Sequence, residues 1–430
     1  MDGNALFEQG KFNDAIVAYK KCMKKNPGNG SVLNQMGICY FNLGKYSDAI
    51  DTFKGVLRIK NDIPDVYNNI GTCYVNMRKY KEAEIVLLIS LKLQQTDFIH
   101  SALANLYFYK KEYDLAINHF TQIQNINSNP SYLYNLGFCY LAKKDFKKGF
   151  SLYENRLKDL NIVPQTNEKP RVEIPWIPSW DGKDYNHLLI IYEQGIGDNI
   201  MFFRFIIELS RKFSGEITYF CKNTVSHLFR SYPNIHVVTQ LSENIFDAKV
   251  YIMSLPYYLQ IQTIEPNKEE YIITNSEKDV YWKQYFSDHF SGKRKIGFVH
   301  NGLLSSFIEK NIPLSEWRIF GDLENTVFIS LGKGFSEKNP NFHFLDFDER
   351  PFEDTVSILP LLDLFITVDT AITHLAGVMN IPTWLLLGYG SDWRWFTENT
   401  SLWYSSLELI RMDKNKEMTE LLPIIKSRLI

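Results

Sequence analysis

A chain of 430 residues, 45% of them hydrophobic and 22% charged, has ordinary globular composition and length enough for about three domains. The 47 Lys and Arg residues nearly balance the 49 Asp and Glu residues, which argues against a nucleic-acid-binding or anionic-membrane-binding field over the whole protein. No apolar run approaches the ~18 residues of a membrane span, and the N-terminus has no secretory leader pattern. Five cysteines without a CxxC pair favour reduced thiols, so we expect a cytoplasmic protein.

The first third of the chain has an internal repeat of 33 to 34 residues. A small residue recurs at spacings of 34, 34, 33 and 33, at Gly3, Gly37, Gly71, Ala104 and Gly137. A second small series and an apolar series keep this period, namely Ala15, Ala49, Ala83, Ala116 and Gly149, and Tyr19, Phe53, Leu87, Phe120 and Tyr153. The pattern resembles the tetratricopeptide repeat, and we assign residues 1–157 to such an array.

The repeat predicts an α-solenoid of stacked helical hairpins that complete one another's core and leave a concave groove. Cys39, Cys73 and Cys139 occupy one repeat position, which predicts small buried apolar residues and not redox centres. The groove favours docking of a protein or peptide; a purely architectural flank is the alternative.

Beyond the repeats, strand-like apolar runs alternate with helical stretches. The clearest runs are Leu188–Tyr192, Ile217–Cys221, Lys295–His300, Val327–Leu331, Leu364–Val368 and Thr383–Leu387. This alternation predicts parallel sheets flanked by helices, in two Rossmann-like domains at residues 158–290 and 291–430 that face a cleft. Ligands of such sheets bind beyond the carboxyl ends of the strands.

One strand end carries the segment Glu193–Asn199, with a glycine turn formed by Gly195 and Gly197 before a helix. The turn allows close backbone approach, and the N–H groups at the helix start can bind an anion or a polar ligand. A third glycine is missing, which disfavours a dinucleotide fingerprint. Asp198 has two interpretations, a helix N-cap or a general base that deprotonates an acceptor.

A second strand end carries Asp369, Thr370 and His374 before another helix. Thr370 and the helix start are suited to hold a diphosphate. Asp369 either orients a sugar or ribose hydroxyl or caps the helix. His374 either contacts phosphate or is a structural histidine under the turn.

Two charged segments lie in the same half of the chain. Lys310, after the strand that ends at His300, is either a solvated lysine or a charge partner for a leaving diphosphate. Asp346 and Asp348 have the DxD spacing of a metal-binding sugar transferase motif. We interpret that segment as an acidic surface loop and expect no metal.

Taken together, these segments resemble bacterial glycosyltransferases that join tetratricopeptide repeats to a family 9, heptosyltransferase-like catalytic region. The matching segments are Glu193–Asp198, Met253–Pro256, Asp363–Leu387, Asp392–Trp395 and Ser401–Tyr404. The resemblance implies a GT-B fold and inverting, metal-independent transfer from a nucleotide-sugar donor, with no further cofactor.

The resemblance also implies residue roles. Asp198 matches the general base, and Lys310 is similar to the lysine that meets the donor pyrophosphate. Asp369, Thr370 and His374 match the donor-binding turn, and we also assign Gln194, Gly195 and Gly197 of the glycine turn to donor binding. Asp392–Trp395 is either a cleft wall or a structural brace.

The implied partners are a nucleotide sugar and a protein acceptor docked by the repeats, without nucleic acid or a membrane span. Two alternatives stay open. One is transfer to a glycan or lipid-linked precursor; the other is a repeat adaptor whose transferase half is inactive.

Overall fold

The computed structural model describes residues 2–158, 173–241, 246–302, 311–332, 341–345, 352–413 and 416–430. The chain forms two compact units. The first comprises Met1–Lys143 and Asn155–Asp159, and the second comprises Lys144–Glu154 and Leu160–Ile430. The predicted division into three regions at residues 157 and 290 stays a prediction.

The first unit consists of short α-helices in hairpins. These are α1 (Gly3–Glu8), α2 (Phe12–Lys25), α3 (Gly30–Asn42), α4 (Tyr46–Ile59), α5 (Pro64–Asn76), α6 (Tyr80–Leu93), α7 (Asp97–Tyr109), α8 (Tyr113–Thr121) and α9 (Pro130–Ala142). Local sequence sets the helix starts: Asn29 and Asn129 cap α3 and α9 through their side chains, and Pro64 is the first residue of α5.

Packing inside the hairpins explains the small and the large series of the repeat. A Cβ atom added to Gly37 would lie 2.5 Å from Phe53 Cε1, and one added to Gly71 would lie 2.5 Å from Leu87 Cδ2. The small residue on the first helix therefore leaves the space into which the apolar residue on the second helix of the same hairpin packs. This close packing confirms the predicted solenoid of tetratricopeptide repeats.

The repeated cysteines are part of this core. Cys39, Cys73 and Cys139 have no exposed surface, and all three are free thiols. Burial raises the pKa of Cys39 to about 11 and those of Cys73 and Cys139 to about 12. Their burial makes them small apolar residues of the core, as predicted, and a thiol that stays protonated is a poor nucleophile.

The second unit begins with α10 (Phe146–Tyr153) and then carries two parallel sheets. The first sheet contains β1 (His187–Ile191), β2 (Glu216–Phe220), β3 (Ile235–Val238) and β4 (Ala248–Tyr251), in the order β3-β2-β1-β4. Its helices are α11 (Ile196–Ser210), α12 (Asn223–Ser226) and α13 (Leu255–Tyr258). The central strand β1 is buried over Leu188–Ile191, as expected for a parallel strand covered on both faces.

The second sheet has six parallel strands in the order β10-β9-β8-β5-β6-β7. They are β5 (Arg294–Val299), β6 (Thr326–Ser330), β7 (Phe342–Phe344), β8 (Leu364–Val368), β9 (Thr383–Leu387) and β10 (Leu407–Arg411). Its helices are α14 (Ser276–Phe290), α15 (Glu353–Ile358), α16 (Ala371–Val378) and α17 (Leu421–Leu429). The order is that of a doubly wound parallel sheet, with its switch point between β5 and β8.

The predicted parallel sheets flanked by helices are therefore confirmed, and each predicted strand run overlaps an observed strand. The finer assignment of a GT-B fold stays a prediction. None of the helices in the described ranges combines the length and the hydrophobicity needed to cross a membrane.

Candidate functional site

The glycine turn after β1 is held by Asp198 and Asn199. Asp198 Oδ2 accepts a hydrogen bond of 3.1 Å from the Gly195 N–H, as an acidic residue near a helix start commonly does. Asn199 Nδ2 donates to the carbonyls of Glu193 at 2.9 Å and Gly195 at 2.6 Å. Asp198 thus makes a capping contact, while its role as a base stays a prediction. The bracing role of Asn199 was not predicted from the sequence.

The turn after β8 leads into α16, whose N-cap is Thr370. The Thr370 N–H donates to Thr373 Oγ1 at 3.3 Å, and that hydroxyl donates to the Val368 carbonyl at 3.0 Å. Thr370 Oγ1 is buried and has no hydrogen-bond partner within the described ranges. Two hydrogen bonds thus hold the turn, and the Thr370 hydroxyl beside them keeps a hydrogen-bonding capacity that no described residue uses.

His374 lies under this turn. Its Nδ1 is 3.0 Å from the Tyr404 hydroxyl oxygen, and its ring stacks on Trp395 at a centroid distance of 5.4 Å. Burial lowers the pKa of His374, against the opposing effect of Asp369 and Asp198. A neutral imidazole at pH 7 follows, which agrees with the structural interpretation; a phosphate contact stays a prediction.

The two turns meet within the second unit. A Cβ atom on Gly197 would lie 2.6 Å from His374 Cδ2 and 3.3 Å from Ala371 Cα. Any larger residue at position 197 would force α11 and α16 apart. Gly197 thus has a packing role between the two helices, while the predicted close approach of its backbone to a ligand stays a prediction.

The buried guanidinium of Arg394 lies beside the contact between Gly197 and His374. Arg394 Nη2 is 2.9 Å from Asp198 Oδ1, and Arg394 Nη1 is 2.9 Å from Asp392 Oδ1. Arg394 is 9% exposed, and its carbonyl accepts a 2.8 Å hydrogen bond from Trp403 Nε1. Although burial opposes the charge, Asp198 and Asp392 keep the pKa of Arg394 above its ordinary value. These contacts favour the interpretation of Asp392–Trp395 as a structural brace.

The predicted site residues of the described ranges thus lie at two adjoining strand-to-helix junctions. Gln194, Gly195, Gly197 and Asp198 lie at the first junction, and Asp369, Thr370 and His374 lie at the second, with His374 one turn into α16. Lys310, Asp346 and Asp348 lie outside the described residues. In the ranges that are described, no cluster of three or more His, Cys, Asp or Glu side chains is arranged to hold a metal ion. The expectation of metal-independent chemistry stays a prediction.

Four further histidines share the lowered pKa of His374. Burial is the leading cause of the shift at each of the five, His100, His119, His300, His343 and His374. In the repeats, His100 and His119 face each other with their Nδ1 atoms 3.1 Å apart, so a proton on one ring opposes a proton on the other.

We therefore expect the free energy of unfolding to fall as the pH is lowered through 6.5, the ordinary histidine pKa. The unfolded chain then binds protons that the folded chain excludes, so the stability present above pH 6.5 is lost toward the lower folded-state pKa values. Urea unfolding between pH 8 and pH 5 measures how the free energy of unfolding changes with pH. NMR titration of the histidine resonances shows which histidines cause the change. A flat profile, or a His374 resonance that titrates above 6.5, would contradict the expectation.

Comparison with known proteins identifies the repeats independently. Tetratricopeptide-repeat family profiles match residues 6–68 and 64–97. The N-terminal region therefore contains tetratricopeptide repeats, which supports a protein-docking role. The second unit adds an α/β region with parallel sheets.

Protein FlbA of Caulobacter vibrioides is a relative, 22% identical over 295 residues that cover 60% of this chain and 48% of FlbA. The chain spans about half the length of this curated relative. Among solved structures, MamA is 24% identical with a TM-score of 0.32, over 37% of this chain and 94% of MamA. A thermophilic TPR protein in Thermus thermophilus is 19% identical with a TM-score of 0.34, over 37% of this chain and 91% of its own.

Proposed function

We propose that this protein is an inverting, metal-independent glycosyltransferase that moves a sugar from a nucleotide-sugar donor to a protein docked by the repeats. One observation carries the proposal. The turn with Asp198 follows β1 of one parallel sheet, and it adjoins the turn with Thr370 that follows β8 of the other. Ligands of open α/β sheets bind at such strand ends.

The second sheet supplies the donor side. Its switch point lies between β5 and β8, and α16 begins directly after β8. A helix N-terminus favours a diphosphate, and Thr370 Oγ1 has hydrogen-bonding capacity to spare. Asp369 would orient a ribose or sugar hydroxyl, and Lys310 would add positive charge to the leaving group.

The first sheet supplies the acceptor side. Inversion requires attack from the face opposite the departing diphosphate, so base and leaving group must come from different sides of the site. Asp198 lies at the start of α11, which follows β1 of the first sheet. The start of α16 follows β8 of the second sheet. Asp198 Oδ1 forms a 2.9 Å ion pair with Arg394 Nη2, which orients the carboxylate of the proposed base.

A repeat adaptor with an inactive α/β unit is the second candidate, and the same ion pair favours it. Both carboxylate oxygens of Asp198 are already occupied, by Arg394 and by the Gly195 N–H. A carboxylate bonded at both oxygens serves as a structural link, with or without a catalytic role. Transfer to a glycan or lipid-linked precursor is the remaining variant of the enzymatic proposal.

Nucleotide binding separates the enzyme from the adaptor. Thermal unfolding is measured with UDP, GDP, ADP, CMP and dTDP and with their common sugar conjugates. A ligand that binds only the folded state at roughly 100 times its Kd stabilises it by about 2.7 kcal/mol. We expect one nucleotide base to give a clear shift. No shift with any compound of the panel, for a protein that unfolds cooperatively, would favour the adaptor.

A further inference from the structure

The helix α10 completes the repeat pattern in sequence but packs within the α/β unit. Its aromatic face contacts the segment after β9: Phe150 packs edge-on against Trp393 at 6.2 Å, and Phe146 against Phe396 at 5.9 Å. Lys144, just before the helix, forms an ion pair with Glu398. The same segment carries Arg394, which holds Asp198.

Tyr153 connects the other end of α10 to the glycine turn. Its ring is 1% exposed, and its hydroxyl oxygen accepts a 2.7 Å hydrogen bond from Gln194 Nε2. At the same position of the first repeat, the hydroxyl of Tyr19 donates to Asn4 Oδ1 at 2.8 Å, within its own hairpin. Phe53 and Leu87 have no hydroxyl at this position. Tyr153 thus combines the apolar role of the series with a polar contact to the candidate site.

The residue that Tyr153 holds is conformationally demanding. Gln194 has a φ of 63°, in the left-handed region that side chains other than glycine rarely adopt. A backbone of this kind persists when surrounding contacts determine it, and such residues cluster at functional sites. Gln194 directly precedes Gly195, whose N–H is bonded to Asp198. A displaced Gln194 would therefore displace the cap that orients the Asp198 carboxylate.

We propose that Tyr153 is a positioning residue for the turn Gln194–Asp198, so that the site is assembled from the end of the repeat pattern as well as from the two sheets. The effect on sugar transfer rests on the proposed function, whereas the effect on the turn does not. Loss of the Tyr153 hydroxyl loosens the turn and displaces Asp198 from the geometry that the reaction needs.

The test compares Tyr153→Phe with Tyr19→Phe in the full-length chain. Both variants lose one hydroxyl at the same repeat position, but only the first loses a contact to the turn. By hydrogen–deuterium exchange without ligand, we expect the amides of residues 195–199 to exchange about two- to tenfold faster in Tyr153→Phe, since one hydrogen bond is lost. Tyr19→Phe should leave them unchanged. Gln194→Met, which keeps the length of the side chain but has no donor for Tyr153, should reproduce the faster exchange if Tyr153→Phe folds poorly.

Kinetics with the nucleotide sugar that stabilises the wild type supply the second readout. We expect Tyr153→Phe to lower kcat by between about ten- and a hundredfold, as small misplacements in an active site do, with little change in KM for the donor. Unchanged exchange at residues 195–199, or an unchanged kcat, would overturn the positioning role. Faster exchange in a protein that turns over no nucleotide sugar supports the structural contact and contradicts the proposed function instead.

Discussion

Arg394→Met is expected to lower the free energy of unfolding of the second unit by about 3–5 kcal/mol, the usual cost of removing one partner of a buried ion pair. Arg394 is 9% exposed and its guanidinium lies between Asp198 and Asp392, so its loss removes the counter-charge that the two carboxylates share. The side chain of Asp392 is 37% exposed, which places the effect toward the lower end of that range.

Tryptophan fluorescence during urea unfolding measures this effect selectively, because all eight Trp residues follow residue 158. Arg211→Met is the matched control. Arg211 pairs with Glu269, but their side chains are 62% and 36% exposed, so we expect a change within about 1 kcal/mol. Equal losses for the two variants would show that Arg394 does not act as a buried counter-charge.

Asp198→Asn is expected to lower sugar transfer by about 10²–10⁴-fold, the range that a general base contributes, while donor binding stays nearly intact. The amide can still accept the hydrogen bond from the Gly195 N–H but has no basicity. Steady-state kinetics with the nucleotide sugar identified by thermal unfolding measure the loss, and the same thermal shift measures donor binding.

Asp392→Asn is the control for this variant. Asp198 and Asp392 each lie 2.9 Å from the Arg394 guanidinium, so both substitutions remove one of its two carboxylate partners. Only Asp198 belongs to the glycine turn. We expect Asp392→Asn to keep most of its turnover. Retained turnover in Asp198→Asn would refute the base, and equal losses in both variants would assign the effect to Arg394.

The repeats could be predicted from the sequence because their packing is periodic and local. Gly37 and Phe53, like Gly71 and Leu87, meet within one hairpin, so each pair recurs at a constant separation along the chain. The left-handed residue after each first helix follows the same period, at Gly10, Gly44, Arg78, Lys111 and Lys144. Glycine is not required there, so this feature cannot be read from composition alone.

The strands and the two polar turns could also be predicted, since buried parallel strands are continuous apolar runs and ligand-binding turns follow them. The sequence could not decide whether Asp198 is a helix cap or a base. Nor could it decide whether His374 is structural or binds phosphate. Both depend on neighbours from distant parts of the chain, such as Arg394 for Asp198 and Tyr404 for His374. No short motif specifies such pairs.

The sequence by itself therefore determined a solenoid of tetratricopeptide repeats, parallel sheets and the strand ends at which polar residues collect. Only the tertiary structure decided that Gly197 packs on His374, that Arg394 links Asp198 to Asp392, and that Tyr153 supports Gln194. The physical reason is range. Periodicity and propensity act over a few turns of chain, whereas a buried charge or hydroxyl finds its partner only when separate elements close around it.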